Sequence, residues 1–450
     1  MERCVLHSLL AEFYNNYYNL RIGSINERTP VTGYVPQDMN EWTRNIFLDK
    51  IACHVNLSLA APEELEKTTP ANYEQVIRLG KDSPTLRPSL FDFLAYRAID
   101  LLVSLQASPF RATRADETVS FFCPLPEFLS MEIEGEDLFF EILRHYQQLL
   151  RSQQQRQATE ALILSELSRL SYLLECSENT GKNEELFRSQ LKQLCHTYRE
   201  NPYSVEVIYV LAQNYYRAFG GDKQTLVNNQ TALRLCEDGL RRFPNYRRID
   251  LLEQLRDNIL FPEHHISTEL AYPGQNVKIN LGYRNLNTVT LTLYKVNVPV
   301  ENYHAPEGQK ARRQRVLSRT FLLPELTCSK DTVLTLPIGE TGLFEIVARY
   351  QARRETLADT LATYCTRLAG IRHVGGDRQE VLICDRMSGR PVPEARVRLF
   401  QIHTNRTYRF VREVEADSNG IATFDIDKRL GFQVICDNDN HAPINNGLFP

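Results

Sequence analysis

The run Val277-Lys278-Ile279-Asn280-Leu281-Gly282-Tyr283 decides the fold class. Its apolar residues, Val277, Ile279, Leu281 and Tyr283, occupy every second position. Successive strand side chains point to opposite faces, so the run reads as a strand buried on one side. Arg284-Asn285-Leu286-Asn287 reads as a short turn, and Val289, Leu291 and Leu293 as the return strand. The alternation recurs at Phe344, Ile346, Ala348 and Tyr350, after a turn at Ile338-Gly339-Glu340-Thr341-Gly342. Residues 379–436 repeat the idea: VLIC, the turn Ser388-Gly389-Arg390-Pro391, ARVRLFQI, the turn Asp417-Ser418-Asn419-Gly420, IATFDI and GFQVIC. Asn419-Gly420 is expected to supply the positive-φ positions of a hairpin. Strands and turns at this spacing predict two fibronectin/immunoglobulin-like antiparallel β-sandwiches, 266–368 and 376–442.

Upstream the period changes from two to between three and four. Leu6, Leu9, Leu10 and Phe13 form one helical face, and Trp42, Ile46, Phe47, Ile51 and Val55 another. Leu90 to Leu105, Leu138 to Leu150, Leu162 to Leu174 and Leu186 to Tyr198 are further helical stretches. The polar run SQQQRQ after Leu150 reads as a helix end or hinge, and the Pro-containing stretches 61–89 and 107–126 as long connections. Connections of that length predict an irregular helical array over 1–262. Its clearest part is 201–259. Asn201 suits an N-cap and Pro202 the first helical position. After the break at Gly220-Gly221 a second helix runs through Ala232 to Leu240 and ends near Phe243-Pro244-Asn245. The segment reads as a tetratricopeptide-like hairpin or as an ordinary helical one.

At 450 residues the chain has room for roughly three domains of about 150 residues. Its 42% hydrophobic and 24% charged content is ordinary for globular proteins. A net charge of −4, with both signs interspersed, gives no basic face for nucleic acid. The most basic stretch, Arg312, Arg313, Arg315 and Arg319, reads as a solvated loop tip rather than a binding patch. No run reaches the roughly 18–20 apolar residues of a membrane span. The first residues lack the basic and small-residue marks of a signal peptide. A helix that begins at once places the expected domain start before Met1, and the terminal Phe449-Pro450 reads as an interruption of a longer chain. The ten cysteines form no C-x-x-C pair and read as buried free thiols.

The search for chemistry returns mostly absences. There is no G-x-S-x-G, no G-x-x-x-x-G-K-[ST], no H-E-x-x-H and no G-x-G-x-x-G opening a helix. His264-His265 reads as a pair in the linker between helix and strand, because a metal would need a third ligand from elsewhere. Asp437-Asn438-Asp439-Asn440-His441 is oxygen-rich but lacks the Gly and Glu of a calcium loop, so it reads as a polar loop. No catalytic, cofactor-binding or metal-binding residue is assigned, and the chain is expected not to be an enzyme and to need no cofactor. A hydrolase with a non-obvious site is the weakest alternative.

TELAYPGQNVKINLGYRNLNTVTLTLYKVN (268–297), FLLPEL (321–326) and LTLPIGETGLFEIVARY (334–350) resemble the large α2-macroglobulin-like proteins of Bacteroidetes. LHSLLAEFYNNYYN, W-T-R-N-I-F and LRLCEDGLRRFPN are similar to that family's helical region, and 381–424 to the sandwich module after its first macroglobulin domain. The resemblance implies an N-terminal segment of a protease-trapping protein, a helical region followed by macroglobulin-type sandwiches. It implies target proteases as partners of the full-length protein only, an envelope protein partner for the helical region, and a cell-envelope, periplasmic or secreted location. None of the ten cysteines opens the C-x-E-Q thioester motif. The expected Y-R-P-G-Q strand after the second sandwich is missing, and Tyr272-Pro273-Gly274-Gln275 is a partial echo of it. A surface adhesin or assembly partner built of helical-repeat and immunoglobulin-like modules is the alternative, since the 389–397 pattern G-x-P-V-x-x-A-x-V occurs in many surface modules.

Overall fold

The computed structural model describes all residues except 30, 32–33, 107–117, 178–180, 219–220, 298–311, 325, 353–355, 376–377, 403–407, 426–429, 438 and 440–450. Gly220, Asn438, Asn440, His441 and the terminal Phe449-Pro450 therefore lie outside the described residues. The chain divides into two compact units, Met1–Ala218 with Thr231–Arg256, and Phe219–Gln230 with Asp257–Pro450.

The first unit is helical. Its main helices are α1 (Glu2–Leu20), α2 (Ile22–Asn26), α3 (Arg44–Ser58), α4 (Pro62–Glu66), α5 (Ser83–Leu86), α6 (Leu90–Gln106), α7 (Leu125–Ser130), α8 (Leu138–Gln155), α9 (Thr159–Cys176), α10 (Gly181–Thr197) and α11 (Ser204–Arg217). The residues of α12 (Asp222–Arg242) and α13 (Asp250–Leu260) are shared between the units. Helices α6, α8, α9 and α10 lie where the apolar period places them, and Leu94, Leu102, Ile142, Leu149, Leu170 and Leu191 are fully buried in one cluster. The start of α6 is a reciprocal cap. The Ser89 N–H donates to Asp92 at 3.0 Å, and the Asp92 N–H donates to the Ser89 hydroxyl at 3.2 Å, so two otherwise unpaired donors are satisfied.

Three expectations change here. In α1 the stripe Leu6, Leu9, Phe13 faces outward at 55%, 39% and 55% exposure. The buried face is instead Cys4, Val5, Ser8, Ala11, Asn15 and Tyr18. Periodicity identifies a helical face but not the direction it points, and here a mixed face of small, polar and two larger apolar or aromatic residues, Val5 and Tyr18, is buried. Residues 61–89 are not a bare connection but contain α4, α5 and a 3-10 turn at Pro70–Tyr73. Helix α11 begins at Ser204, later than Pro202, because the Asn201 side chain accepts the Tyr203 N–H at 2.9 Å and holds a turn ahead of the helix. The polar run after Leu150 does end α8, with Gln157 at φ 57°, yet Ser152 and Gln153 are buried.

The second unit is built of antiparallel sheets. Strands β1 (Glu263–Thr268), β2 (Gln275–Arg284) and β5 (Lys330–Ile338) form one sheet, in the order β1-β2-β5. Strands β3 (Thr288–Asn297), β4 (Arg312–Leu322), β6 (Gly342–Gln351) and β7 (Thr356–Cys365) form another, in the order β4-β3-β6-β7. Val277, Ile279 and Leu281 of the first and Leu291, Ile346 and Tyr350 of the second share one apolar cluster. Strands β8 (Leu368–Gly375), β9 (Arg378–Asp385) and β12 (Ile421–Asp425) pair as β12-β9-β8. Strands β10 (Arg396–Ile402), β11 (Tyr408–Glu415) and β13 (Leu430–Ile435) pair as β11-β10-β13. Val381, Ile383, Val397, Leu399, Phe432 and Val434 fill the cluster that both share.

Here too expectations are corrected. His264 and His265 belong to β1, not to a linker. The four arginines from Arg312 to Arg319 stand on β4, not on a loop tip. Only Gly420, at φ 74°, takes the left-handed conformation in the turn after β11; Asn419 does not. A Cβ at Gly420 would meet the Ile383 carbonyl at 2.8 Å, so the position requires glycine twice over.

Candidate functional site

A polar constellation of the second unit joins the end of β9 to the run 270–275 ahead of β2. Asp385 ends β9, and its Oδ1 accepts the N–H groups of Met387 and Ser388 at 3.0 and 2.8 Å and the Ser388 hydroxyl at 3.0 Å. Its Oδ2 accepts the Tyr272 hydroxyl at 2.8 Å. The Ser388 N–H, followed by that hydroxyl, holds the Asp385 carboxyl down at about 2, so it stays charged in all but strong acid. Arg386, next in sequence, donates to the carbonyls of Ala271 at 2.7 Å, Thr366 at 3.1 Å and Leu270 at 3.1 Å.

Asp439 closes the other side. It is buried, accepts the Thr366 hydroxyl at 2.9 Å through Oδ1 and the Arg367 N–H at 2.7 Å through Oδ2. The described part of the oxygen-rich loop thus turns a carboxylate inward onto protein donors. Tyr272-Pro273-Gly274-Gln275 builds the facing wall: Gly274 turns at φ 79°, and Gln275 reaches the Met387 sulfur at 3.6 Å. The two carboxylates accept backbone N–H groups and the Tyr272, Ser388 and Thr366 hydroxyls, and the Arg386 guanidinium is spent on carbonyls. The arrangement can hold two β modules together. Sequence reading passed over Asp385 and Arg386 because they lie in a D-R-M-S-G turn, where polar residues are expected; an Asp three residues before a Ser was the available signal.

The other residues singled out by sequence are dispersed. His264 Nδ1 lies 2.7 Å from Asp359 Oδ2, with its ring stacked on Tyr350 at 4.5 Å, and Tyr350 also donates to Asp359 at 3.2 Å. This locks β1 to β7 and β6. Among the described residues no group of three or more His, Cys, Asp or Glu could hold a metal ion. All ten cysteines are free. Burial pushes the thiols of Cys195, Cys236 and Cys365 up to about 12, the reverse of what a nucleophilic thiolate needs. No helix is long and apolar enough to cross a membrane among the described residues.

In the first unit a cleft of about 370 Å³ opens between Pro202-Tyr203 and the loop Phe243–Arg247. Tyr203 and Tyr246 meet edge to face at 5.5 Å, and Tyr246 donates to Glu206 at 2.9 Å. Arg242 is engaged by Asp238 at 3.0 Å and Arg247 by Asp82, so the cleft offers aromatic surface with its cations already compensated.

No protein-family model and no curated protein matches the chain. Solved structures are similar to parts of it. One is native α2-macroglobulin from Escherichia coli spanning domains MG0-NIE-MG1, with 15% identity, 40% of this chain and 62% of that chain covered, and a TM-score of 0.33. A second covers domains NIE-MG1 of the same protein, with 15% identity, 40% and 95% coverage and a TM-score of 0.32. Red sea bream transglutaminase follows at 11% identity, 44% and 33% coverage and a TM-score of 0.23. The chain spans less than two thirds of the first structure. Likeness at this level transfers neither a whole fold nor an activity.

Proposed function

We propose that the chain is a non-catalytic scaffold segment of an α2-macroglobulin-like, protease-trapping protein. The observation that carries the reading is the joint. The run 270–275, inside the stretch where the family resemblance is strongest, is the wall onto which Asp385 and Arg386 lock the following module. The strand orders β1-β2-β5 and β4-β3-β6-β7 support it as well, being the three-plus-four arrangement of a fibronectin-like sandwich. On this reading residues 1–262 are a helical region with a tetratricopeptide-like hairpin at 201–259. Residues 266–368 are a macroglobulin-type sandwich and 376–442 a second small module. No cysteine here opens C-x-E-Q, so on this reading any thioester belongs to another part of the protein, and the bait segment is assigned there with it. Target proteases meet the protein through those parts, an envelope protein is the partner of the helical region, and the protein works in the cell envelope or outside it.

The test uses the 450-residue chain itself. Mixed in excess with a serine or metallo-proteinase, it is expected neither to slow cleavage of a large substrate nor to shield the proteinase from a macromolecular inhibitor. Stoichiometric inhibition by the isolated chain contradicts the assignment.

A further inference from the structure

Strand β4 is eleven residues long, about 35 Å when extended, and lies at the edge of its sheet. In an antiparallel pair the backbone groups of every second residue point away from the neighbour. Along β4 no other strand takes them up among the described residues. The strand is exposed along most of its length and carries Arg312, Arg313, Arg315 and Arg319. Arg313 is paired with Glu345 at 2.7 Å, and Arg319 lies 4.9 Å over the Phe321 ring. Arg312 and Arg315 have no acidic partner among the described residues.

Charges on an edge strand commonly keep sheets from pairing with one another, and this row does so against a second copy. Parallel in-register pairing sets every arginine against itself. The same row favours a strand of opposite charge, which would satisfy both the open backbone groups and the guanidinium groups of Arg312 and Arg315, which have no acidic partner among the described residues. We propose that β4 is a docking edge for an extended Glu- or Asp-rich segment of a partner protein, added as a fifth strand beside β4. Backbone pairing would supply the affinity and the arginines the selection.

The test is a fluorescence-anisotropy titration of the full chain with a labelled Thr-Glu peptide of about ten residues that carries Glu on both faces of the strand, because Arg312 and Arg315 lie on opposite faces of β4. The comparators are the same peptide N-methylated at alternate amides, a Thr-Lys peptide, and single-stranded DNA of equal charge. The Thr-Glu peptide is expected to bind roughly tenfold or more tighter than each comparator. The Arg312→Glu/Arg315→Glu double variant, with an unchanged far-UV spectrum, is expected to lose at least about tenfold of that affinity. Lys182→Glu/Lys223→Glu, the same charge change elsewhere, is expected to keep it. Failure of the Thr-Glu peptide to bind overturns the proposal. So does equal binding of the N-methylated peptide or the DNA, which would signify charge attraction without strand addition. Undiminished binding by the β4 variant overturns it too.

Discussion

His145 in α8 is buried, and among the described residues neither ring nitrogen has a hydrogen-bond partner. Burial, with Arg144 adding to it, pushes its pKa down from 6.5 to about 4. In the native chain the ring stays neutral where the unfolded chain would take up a proton. The unfolded state therefore binds more protons between pH 6.5 and about 4, and stability falls as pH drops through that window. His145→Leu removes both the unpaired nitrogens and the proton uptake. Urea unfolding of the variant is expected to show a gain of about 1–2 kcal/mol at neutral pH and a flatter decline in acid. An unchanged pH slope would exclude His145 as its source. Such residues were not legible in the sequence. His145 and Arg169 both sit among apolar helix positions, and whether a polar side chain there is orphaned or satisfied depends on neighbours distant in the chain. Arg169 is the satisfied case. Fully buried, it donates to Glu166 at 2.6 Å and to the carbonyls of Phe121 at 2.7 Å and Cys123 at 3.1 Å, with its charge over the Phe128 ring at 4.2 Å. Removing one partner of such a group would leave the rest unpaired in a low-dielectric interior.

Among the elements, the turn after β9 carries the most. Asp385→Ala leaves the Tyr272 hydroxyl and the Met387 and Ser388 N–H groups without their acceptor. Chemical denaturation is expected to show a loss of about 1–2 kcal/mol, and hydrogen exchange at Met387 and Ser388 is expected to quicken. The folded-state pKa is depressed, so the stabilisation is present above the ordinary carboxylate range and lost as pH falls through about 2. Exchange at those amides indistinguishable from wild type would show that the carboxylate does not hold the turn. The elements that sequence located best were those with one apolar face. Strand β2 is one, with Val277, Ile279, Leu281 and Tyr283 buried in strict alternation. Strand β4 escaped because an edge strand exposed on most of its residues carries no such alternation, and its arginines imitate a loop. In α1 the apolar stripe was legible but not that it faces outward, since the buried face mixes Val5 and Tyr18 with Cys4, Ser8, Ala11 and Asn15.

At the scale of the molecule, the change from helices to antiparallel sheets near residue 262 was legible because a period of about three and a half gives way to a period of two. The joint between the β modules was not. It is assembled from Tyr272, Thr366, Asp385, Arg386 and Asp439, residues up to 167 positions apart as counted from 272 to 439. No local pattern signals that convergence. The scaffold reading requires the trapping chemistry to lie elsewhere in the polypeptide that carries these residues in its own cell. That polypeptide, captured through an antibody to this chain and challenged with a proteinase, tests the reading most directly. It is predicted to protect the proteinase from a macromolecular inhibitor while leaving cleavage of small peptides intact. A native polypeptide that is merely digested, with no protected proteinase, would contradict the reading.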